Sequence, residues 1–381
     1  MGVSVEWFGA IAEELGVSRP ALYNYVVDRE DLLFKCYLRS CERFEDCLRL
    51  ALEAASTPLA VVEQFLSQAT SAEAPEVAVL SEIDALTPEQ QTIIRARWAA
   101  LVARLAATLD DGVAQGQFRP MDTTIVANAL IGMASWPPLH GRWAPDSELT
   151  PGDVGIREIL FGGLAADRDA PLDNTVAFSR PALVKIDLFD RQTLEEAKRQ
   201  AILVTASSLF NRRGIGATRV EDIGAAVNLS KRAVYHHIGN KDALINACIV
   251  RSIALYLGIM DEAERAPDSR LEVYFSAVKS IVENYFDPQR TVLAPYVGSG
   301  LLNAEGRSTM SVFTQRLTDG YRKIFMDGQR EGSIRALPLD EVLAALPGVF
   351  SWAASSPVTS TESPAHVAEE LAVLAIRGIL A

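Results

Sequence analysis

The chain has 381 residues, 49% of them hydrophobic and 22% charged, the balance of a folded protein with room for two or three domains. A net charge of −13 excludes a protein that coats nucleic acid nonspecifically, yet leaves room for a local basic patch. No apolar run reaches the roughly 18–20 residues of a membrane span, and GVSVEWFGAIAEELG lacks the basic start and cleavage site of a signal peptide. A cytoplasmic protein with no membrane partner is expected.

In chain order, "LGVSRPALYNYVVDREDLL" begins at Leu15, and a close variant, "VNLSKRAVYHHIGNKDALI", begins at Val227. Residues 11–32 align with 223–244 without a gap. Ile11, Ser18, Ala21, Tyr23 and Leu32 recur as Ile223, Ser230, Ala233, Tyr235 and Leu244. Cys36, Cys41 and Cys47 follow in one helical pattern, and Cys248 stands alone. Their spacings suit buried thiols rather than a metal site, and no metal is expected.

The repetition continues. "DGVAQGQFR" (Asp111 to Arg119) matches "DGQREGSIR" (Asp327 to Arg335), and each arginine is followed at the same distance by Ser-Trp, at Ser135–Trp136 and Ser351–Trp352. Both halves close on an apolar helix, "VGIREILFGGLA" and "VAEELAVLAIRGILA". The chain is a tandem duplication of one module. The expected fold class is all-α, with apolar residues at i, i+3, i+4 spacing in each body. The expected organisation is a first helix-turn-helix headpiece over 1–45, lacking its first helix, and a first helical domain over 46–166. A linker over 167–190 follows, then a second headpiece over 191–247 and a second helical domain over 248–381.

The second copy is the more complete. "RQTLEEAKRQAILVTASSLFNRRGIGATR" reads as a helix stopped by Gly214 and Gly216. A short helix, VEDIGAAVN, follows, with Thr218 as N-cap and Glu221 at capping-box spacing. Asn228 suits a turn, and Ser230 suits the N-cap of KRAVYHHI. Two short helices across a tight turn form a helix-turn-helix. In the last of them Val234 and Ile238 face inward and Arg232, Tyr235 and His236 face out, with Lys231 at its N-terminal end. From Arg191 to Lys241 there are nine basic and four acidic side chains, against the acidic balance of the whole. Such a face suits phosphates and base edges in a major groove. His236 and His237 point about 100° apart, which suits DNA or solvent better than a shared metal.

Phe210, Gly214, Thr218, Ile223, Ser230, Tyr235, Ile238, Lys241 and Leu244 together resemble the DNA-binding headpiece of the TetR/AcrR regulators, over about 55 residues. Gly224 and Ile238 depart mildly from the family pattern. The resemblance implies that Tyr235 and Lys241 grip phosphates and that Lys231, Arg232, Ala233 and His236 approach bases. The DNA-contacting set expected from the second head is thus Thr218, Lys231, Arg232, Ala233, Tyr235, His236, His237 and Lys241. In the first head it is Arg19, Pro20, Ala21, Tyr23, Asn24, Tyr25 and Arg29. Residues 1–29 hold two basic and four acidic groups, so the first head is expected to bind weakly or to act as a scaffold.

The resemblance also implies a small-molecule effector, apolar or amphipathic, enclosed by the C-terminal helices, with Phe275, Tyr285, Tyr296, Phe313 and Trp98 as candidate pocket residues. It implies a pseudo-dimer made within one chain, with a further homodimer left open. No cofactor is expected. No G-x-S-x-G, H-E-x-x-H or P-loop occurs, so no enzyme is expected. The expected function is a regulator released from its operator DNA by the effector. The alternative is a duplicated ligand-binding or protein-interaction module that has lost operator binding.

Overall fold

The computed structural model describes residues 11–71, 77–78, 80, 82–143, 149, 152–172, 176–178, 190–294, 297, 304–354 and 363–381. It is all-α: the β pairing among the described residues amounts to two isolated bridges. In the first module, helical residues 11–14 precede α1 (Arg19–Leu22), α2 (Arg29–Ala54), α3 (Pro58–Ala69), α4 (Pro88–Ala114), α5 (Thr123–Trp143) and α6 (Asp153–Arg157). The last continues as one wide turn to Gly162.

The second module follows with α7 (Arg191–Ala217), α8 (Val220–Ala226), α9 (Lys231–Ile238) and α10 (Lys241–Arg265). After these come α11 (Arg270–Phe286), α12 (Ala304–Glu331), α13 (Leu339–Ala345), α14 (Pro347–Phe350) and α15 (Pro364–Arg377). Local chemistry starts these helices. Thr87 and Gln90 form a reciprocal capping box on α4. Asn240 and Ser363 accept from the third backbone N–H of α10 and α15.

The expected domain boundaries at 45/46 and 247/248 are corrected by the structure, because both fall inside unbroken helices, α2 and α10. Each module has a single rod running from head into body. The rod α10 is also long and apolar enough to cross a membrane by length and composition, which the sequence reading had not allowed. Leu244, Cys248, Ile249, Leu255, Tyr256, Ile259 and Met260 are buried, as in a core helix.

The two modules meet across a seam that repeats itself with the roles exchanged. The Arg119 N–H donates to the Ile379 carbonyl at 2.9 Å, and the Arg335 N–H donates to the Leu164 carbonyl at 3.0 Å. The Ala381 N–H donates to Gln117 O at 3.1 Å, and Ala166 donates to Ser333 O at 3.0 Å. The Arg119 Nε donates to Gly378 O and the Arg335 Nε to Gly163 O, both at 2.7 Å. The two bridges, Phe118 with Leu380 and Ala165 with Ile334, are related in the same way.

Glycine is required where the two segments of this seam cross. Gly163 has φ +65°, and a Cβ there would stand 2.2 Å from Ile376 O. Gly378 has φ +64°, and a Cβ would stand 2.4 Å from Phe161 O. The two tryptophans are seated reciprocally as well. Trp352 lies on Gly132 and Trp136 on Gly348, each so close that a Cβ would collide. This is the self-complementary interface of a two-fold dimer, built inside one polypeptide. The sequence repeats Arg119/Arg335 and Trp136/Trp352 are its seam residues.

Candidate nucleic-acid interface and effector cavity

The second head is organised by the break in α7. Gly214 takes φ +73°, and the chain turns there before α8. The hydroxyl of Thr218 is buried and donates to Gly214 O at 2.7 Å. Thr218 therefore closes the turn and does not face DNA, which corrects its place among the expected contacts. Nor does it cap α8: the N-cap is Arg219, whose N–H is accepted by the Asp222 carboxylate at 3.4 Å, one residue beyond the expected pair.

Lys241 is also turned inward. Its ammonium donates to Ile215 O at 2.7 Å and Thr218 O at 2.8 Å, and burial holds its pKa below the ordinary lysine value. The structure thus gives Lys241 to the carbonyls of the turn, where the resemblance had implied a phosphate.

The helix α9 is capped by Ser230, which accepts from the Ala233 N–H at 3.2 Å, and Asn228 makes the preceding turn with φ +57°. Asn tolerates that conformation because its short side chain bonds locally. Val234 is fully buried and anchors the helix. Lys231, Arg232 and His236 are exposed on the other side, with Ala233 and Tyr235 at its margins. Lys231 Nζ lies 2.8 Å from Glu221 and 5.7 Å from the Tyr235 ring centroid, and the Glu221 hydrogen bond raises its pKa. That ion pair is fully exposed, so a phosphate competes with it at little cost.

His237 departs from its expected role. Its Nδ1 lies 3.2 Å from Glu195, and its carbonyl accepts from Arg199, so it clamps α9 onto α7.

The first head keeps the pattern and loses the substance. Ser18 accepts from the Ala21 N–H at 3.4 Å, as Ser230 does in the twin. Yet α1 is four residues long where α9 has eight. The twin ends its helix at Gly239, at φ +104°, and the matching residue is Val27, whose β-branch disfavours positive φ. Pro20, Tyr23, Asn24 and Tyr25 are exposed and Ala21 is half-buried; the side chain of Arg19 lies outside the described residues. Arg29, expected at DNA, is corrected. It forms an ion pair with Glu82, and this pair rests on the second head: Glu82 covers Gly214, and Arg29 lies over Gly216.

The cavity lies in the second module. Its space is about 60 Å³, lined by Tyr256, Tyr274, Tyr285, Phe313 and Tyr321, with Leu343 of α13, Phe350 of α14 and Leu346 between them. Tyr256 and Tyr285 share a hydroxyl–hydroxyl bond of 2.8 Å. Of the expected pocket residues, Tyr285 and Phe313 line it. Phe275 is buried in the core beneath Lys279 and does not. Trp98 belongs to the first module's core, edge-on to Phe44, with its Nε1 donating to Asn128. Tyr296 lies outside the described residues.

The sequence reading missed His140 and Leu149, which reach this cavity from the first module. Burial pushes the His140 pKa down to about 4, so the imidazole stands neutral in the wall. The signal available was its place four residues after Trp136, on the helix that forms the seam. In the first module Phe44, the counterpart of Tyr256, packs on both Phe65 and Trp98, at centroid separations of 6.2 and 6.4 Å. Among the described residues, no group of three or more His, Cys, Asp or Glu is placed to hold a metal.

Fold and site together define a duplicated, all-helical helix-turn-helix protein. Residues 202–248 match the family model described as bacterial regulatory proteins, tetR family, and residues 59–146 match the tetracyclin repressor-like C-terminal domain. The chain belongs to the TetR family and carries two TetR-like modules in tandem. It is 32% identical over 88 residues to the transposon Tn10 TetC protein of Escherichia coli, a stretch that spans 23% of this chain and 42% of that protein. Among solved structures it is similar to the TetR family transcriptional regulator PfmR of Thermus thermophilus, at 22% identity and a TM-score of 0.40, over 46% of this chain and 97% of that one. It is likewise similar to a TetR-family transcriptional regulator of Bordetella parapertussis, at 19% identity and a TM-score of 0.40, over 47% and 94%.

Proposed function

We propose that the chain is a ligand-responsive DNA-binding regulator that reads its operator mainly through α9. One observation carries this reading. A capped helix on a helix-turn-helix presents Lys231, Arg232 and His236 together to solvent, in a locally basic segment of an acidic protein. Such a face supplies phosphate attraction and donors for base edges at once.

The effector is small and mostly apolar, with a hydroxyl or similar group to meet the tyrosines. It enters the composite cavity and widens it, since about 60 Å³ holds only a few waters' volume. The response passes along α10. Tyr256 stands in the cavity wall, and Lys241, on the first turn of the same helix, holds the turn before α8. Moving α10 therefore reorients α9 and lowers operator affinity, as expected of a repressor.

The test is retention of the DNA flanking the chain's own gene in a gel shift. The expected result is a discrete complex, weakened about tenfold in Arg232→Ala. No retention of any flanking fragment at about 50 mM salt, where phosphate attraction is strong, overturns the reading.

A further inference from the structure

The tyrosine-lined cavity draws its wall from both modules. The second gives it Tyr256, Tyr274, Tyr285, Phe313 and Tyr321, and the first gives it His140 and Leu149. Among the described residues that line it, none is Asp, Glu, Lys or Arg. The wall also resists charge of either sign on its own groups. Burial pushes the His140 imidazole down to about 4, and it pushes the phenols of Tyr274 and Tyr321 above the ordinary tyrosine value. A charged ligand would give up its water here with no counter-ion to replace it.

Size narrows the class further. The space is about 60 Å³, whereas a cavity of roughly 150 Å³ accepts one benzene ring. Admitting a single ring therefore already means more than doubling the space, by displacing α13 and α14, helices of seven and four residues. The wall suits a ring. Tyr274 stands edge-on to Tyr321 at 5.6 Å, and Tyr256 tilts on Phe313 at 5.9 Å. Its polar groups are neutral. They include the Tyr256–Tyr285 hydroxyl pair and the His140 imidazole, a ring type with one acceptor nitrogen and one N–H. His140 is seated against Trp136, with ring centroids 6.2 Å apart, and the Trp136 Nε1 donates to Ala344 O of α13 at 2.8 Å. The first module thus holds the yielding wall from behind and supplies a polar group in front of it.

We propose that the effector is an uncharged single-ring compound bearing a hydroxyl, of the phenol class, and that His140 of the first module is the residue that selects it. This rests on the effector reading of the cavity and extends it. A phenol is a good neutral donor and an imidazole nitrogen a good neutral acceptor, so the two bond without either carrying charge. The ligand spans the seam: its ring lies among the aromatics of the second module, and its hydroxyl is shared by the tyrosines and His140. A site built around a hydroxyl rejects the analogue that lacks it, because its own polar groups are then left unpaired.

Calorimetric titration of the full chain near neutral pH, with a series of compounds on one p-tolyl ring, tests this. p-Cresol is expected to bind once per chain, and toluene about tenfold more weakly for want of the hydroxyl. The p-toluate anion and the 4-methylbenzylammonium cation are expected to bind more weakly still. His140→Leu is expected to bring p-cresol to within about twofold of toluene, whereas His140→Gln, which keeps a neutral donor and acceptor, retains most of the preference. Circular dichroism is expected to stay unchanged in both variants. Either ion binding as tightly as p-cresol keeps the cavity as an effector site and overturns the proposal. A cresol-to-toluene ratio that His140→Leu leaves untouched gives the hydroxyl to the tyrosines alone, with the same consequence. No binding by any of the series overturns the proposal and the effector reading together. Operator retention is measured without ligand, so the DNA reading stands or falls apart from all of these.

Discussion

The two heads are written from one pattern and sit on one symmetric body, yet only the second presents a capped eight-residue helix with Lys231, Arg232 and His236 exposed together. In the second, α7 gives the helix-turn-helix a floor, and its Val234 and Ile223 join the main core. In the first, the same fragment encloses three buried residues and leaves its apolar surface in water. Their recognition helices differ as their supports do, four residues against eight. The bodies did not diverge in this way: the seam still exchanges Arg119 for Arg335 and Gly163 for Gly378. A closed interface constrains both partners at once, whereas a head at the end of a rod is free to change alone.

The largest expected effect tests the symmetry of the body. Gly163→Ala and Gly378→Ala each place a Cβ within 2.2–2.4 Å of a carbonyl oxygen at positive φ. Backbone on the far side cannot rotate away as a side chain can, so each is expected to cost about 4 kcal/mol. Urea denaturation of the two variants should give nearly equal losses. A loss in one alone shows that the seam is not the two-fold its hydrogen bonds describe.

The next effect tests the asymmetry of the heads. Lys231→Ala with Arg232→Ala is expected to weaken operator binding about a hundredfold, at about 1–3 kcal/mol for each good contact. The matched change in the first head, Tyr23→Ala with Asn24→Ala, is expected to change affinity less than about twofold, because neither side chain carries the charge that dominates affinity. Gel shifts on one fragment at one salt concentration compare them, and equal losses would mean that both heads touch the duplex.

How much of this was legible beforehand follows the range of the interactions. The duplication, the helices and the cap at Ser230 are local, and residue types a few places apart specify them. The outward placing of Arg232 and His236 followed from inward Val234 on a short helix, while Tyr235, expected outward with them, is half-buried. Thr218 and Lys241 were misread because a turn, unlike a helix, does not announce which polar side chains it folds inward to its own carbonyls. The Arg29–Glu82 pair joins residues 53 apart in sequence, and His140 enters a cavity whose second-module walls lie over a hundred residues away. No periodicity reports such meetings. The tandem repeat could have suggested the second, since each module's seam helix must lie against its twin.

A pH series sharpens the difference between the bodies. His140 titrates near 4 when folded, against about 6.5 in an unfolded chain. Above pH 6.5 both states are neutral, and the contribution is complete. As the pH falls towards 4 the unfolded chain takes up a proton that the folded one refuses, so stability drops, by about 3 kcal/mol, and levels off below. His140→Gln should remove this component from the difference between unfolding free energies at pH 7 and pH 4.5. An unchanged difference would place the imidazole in water, outside the cavity wall.

The smallest expected effect is the most telling about how the heads are joined. Arg29 belongs to the first module, and its counterpart Lys241 binds the turn at Ile215 and Thr218 from within the second head. Arg29 holds Glu82 over Gly214 from the other side, so the turn before α8 is pinned between the two modules. This pair is about three-quarters buried, and Arg29→Ala is expected to cost about 1 kcal/mol, with no direct loss at DNA. The cost should appear away from the mutated head, as faster amide exchange over residues 214–219. Faster exchange confined to residues 19–32 would instead show that the first head does not brace the second.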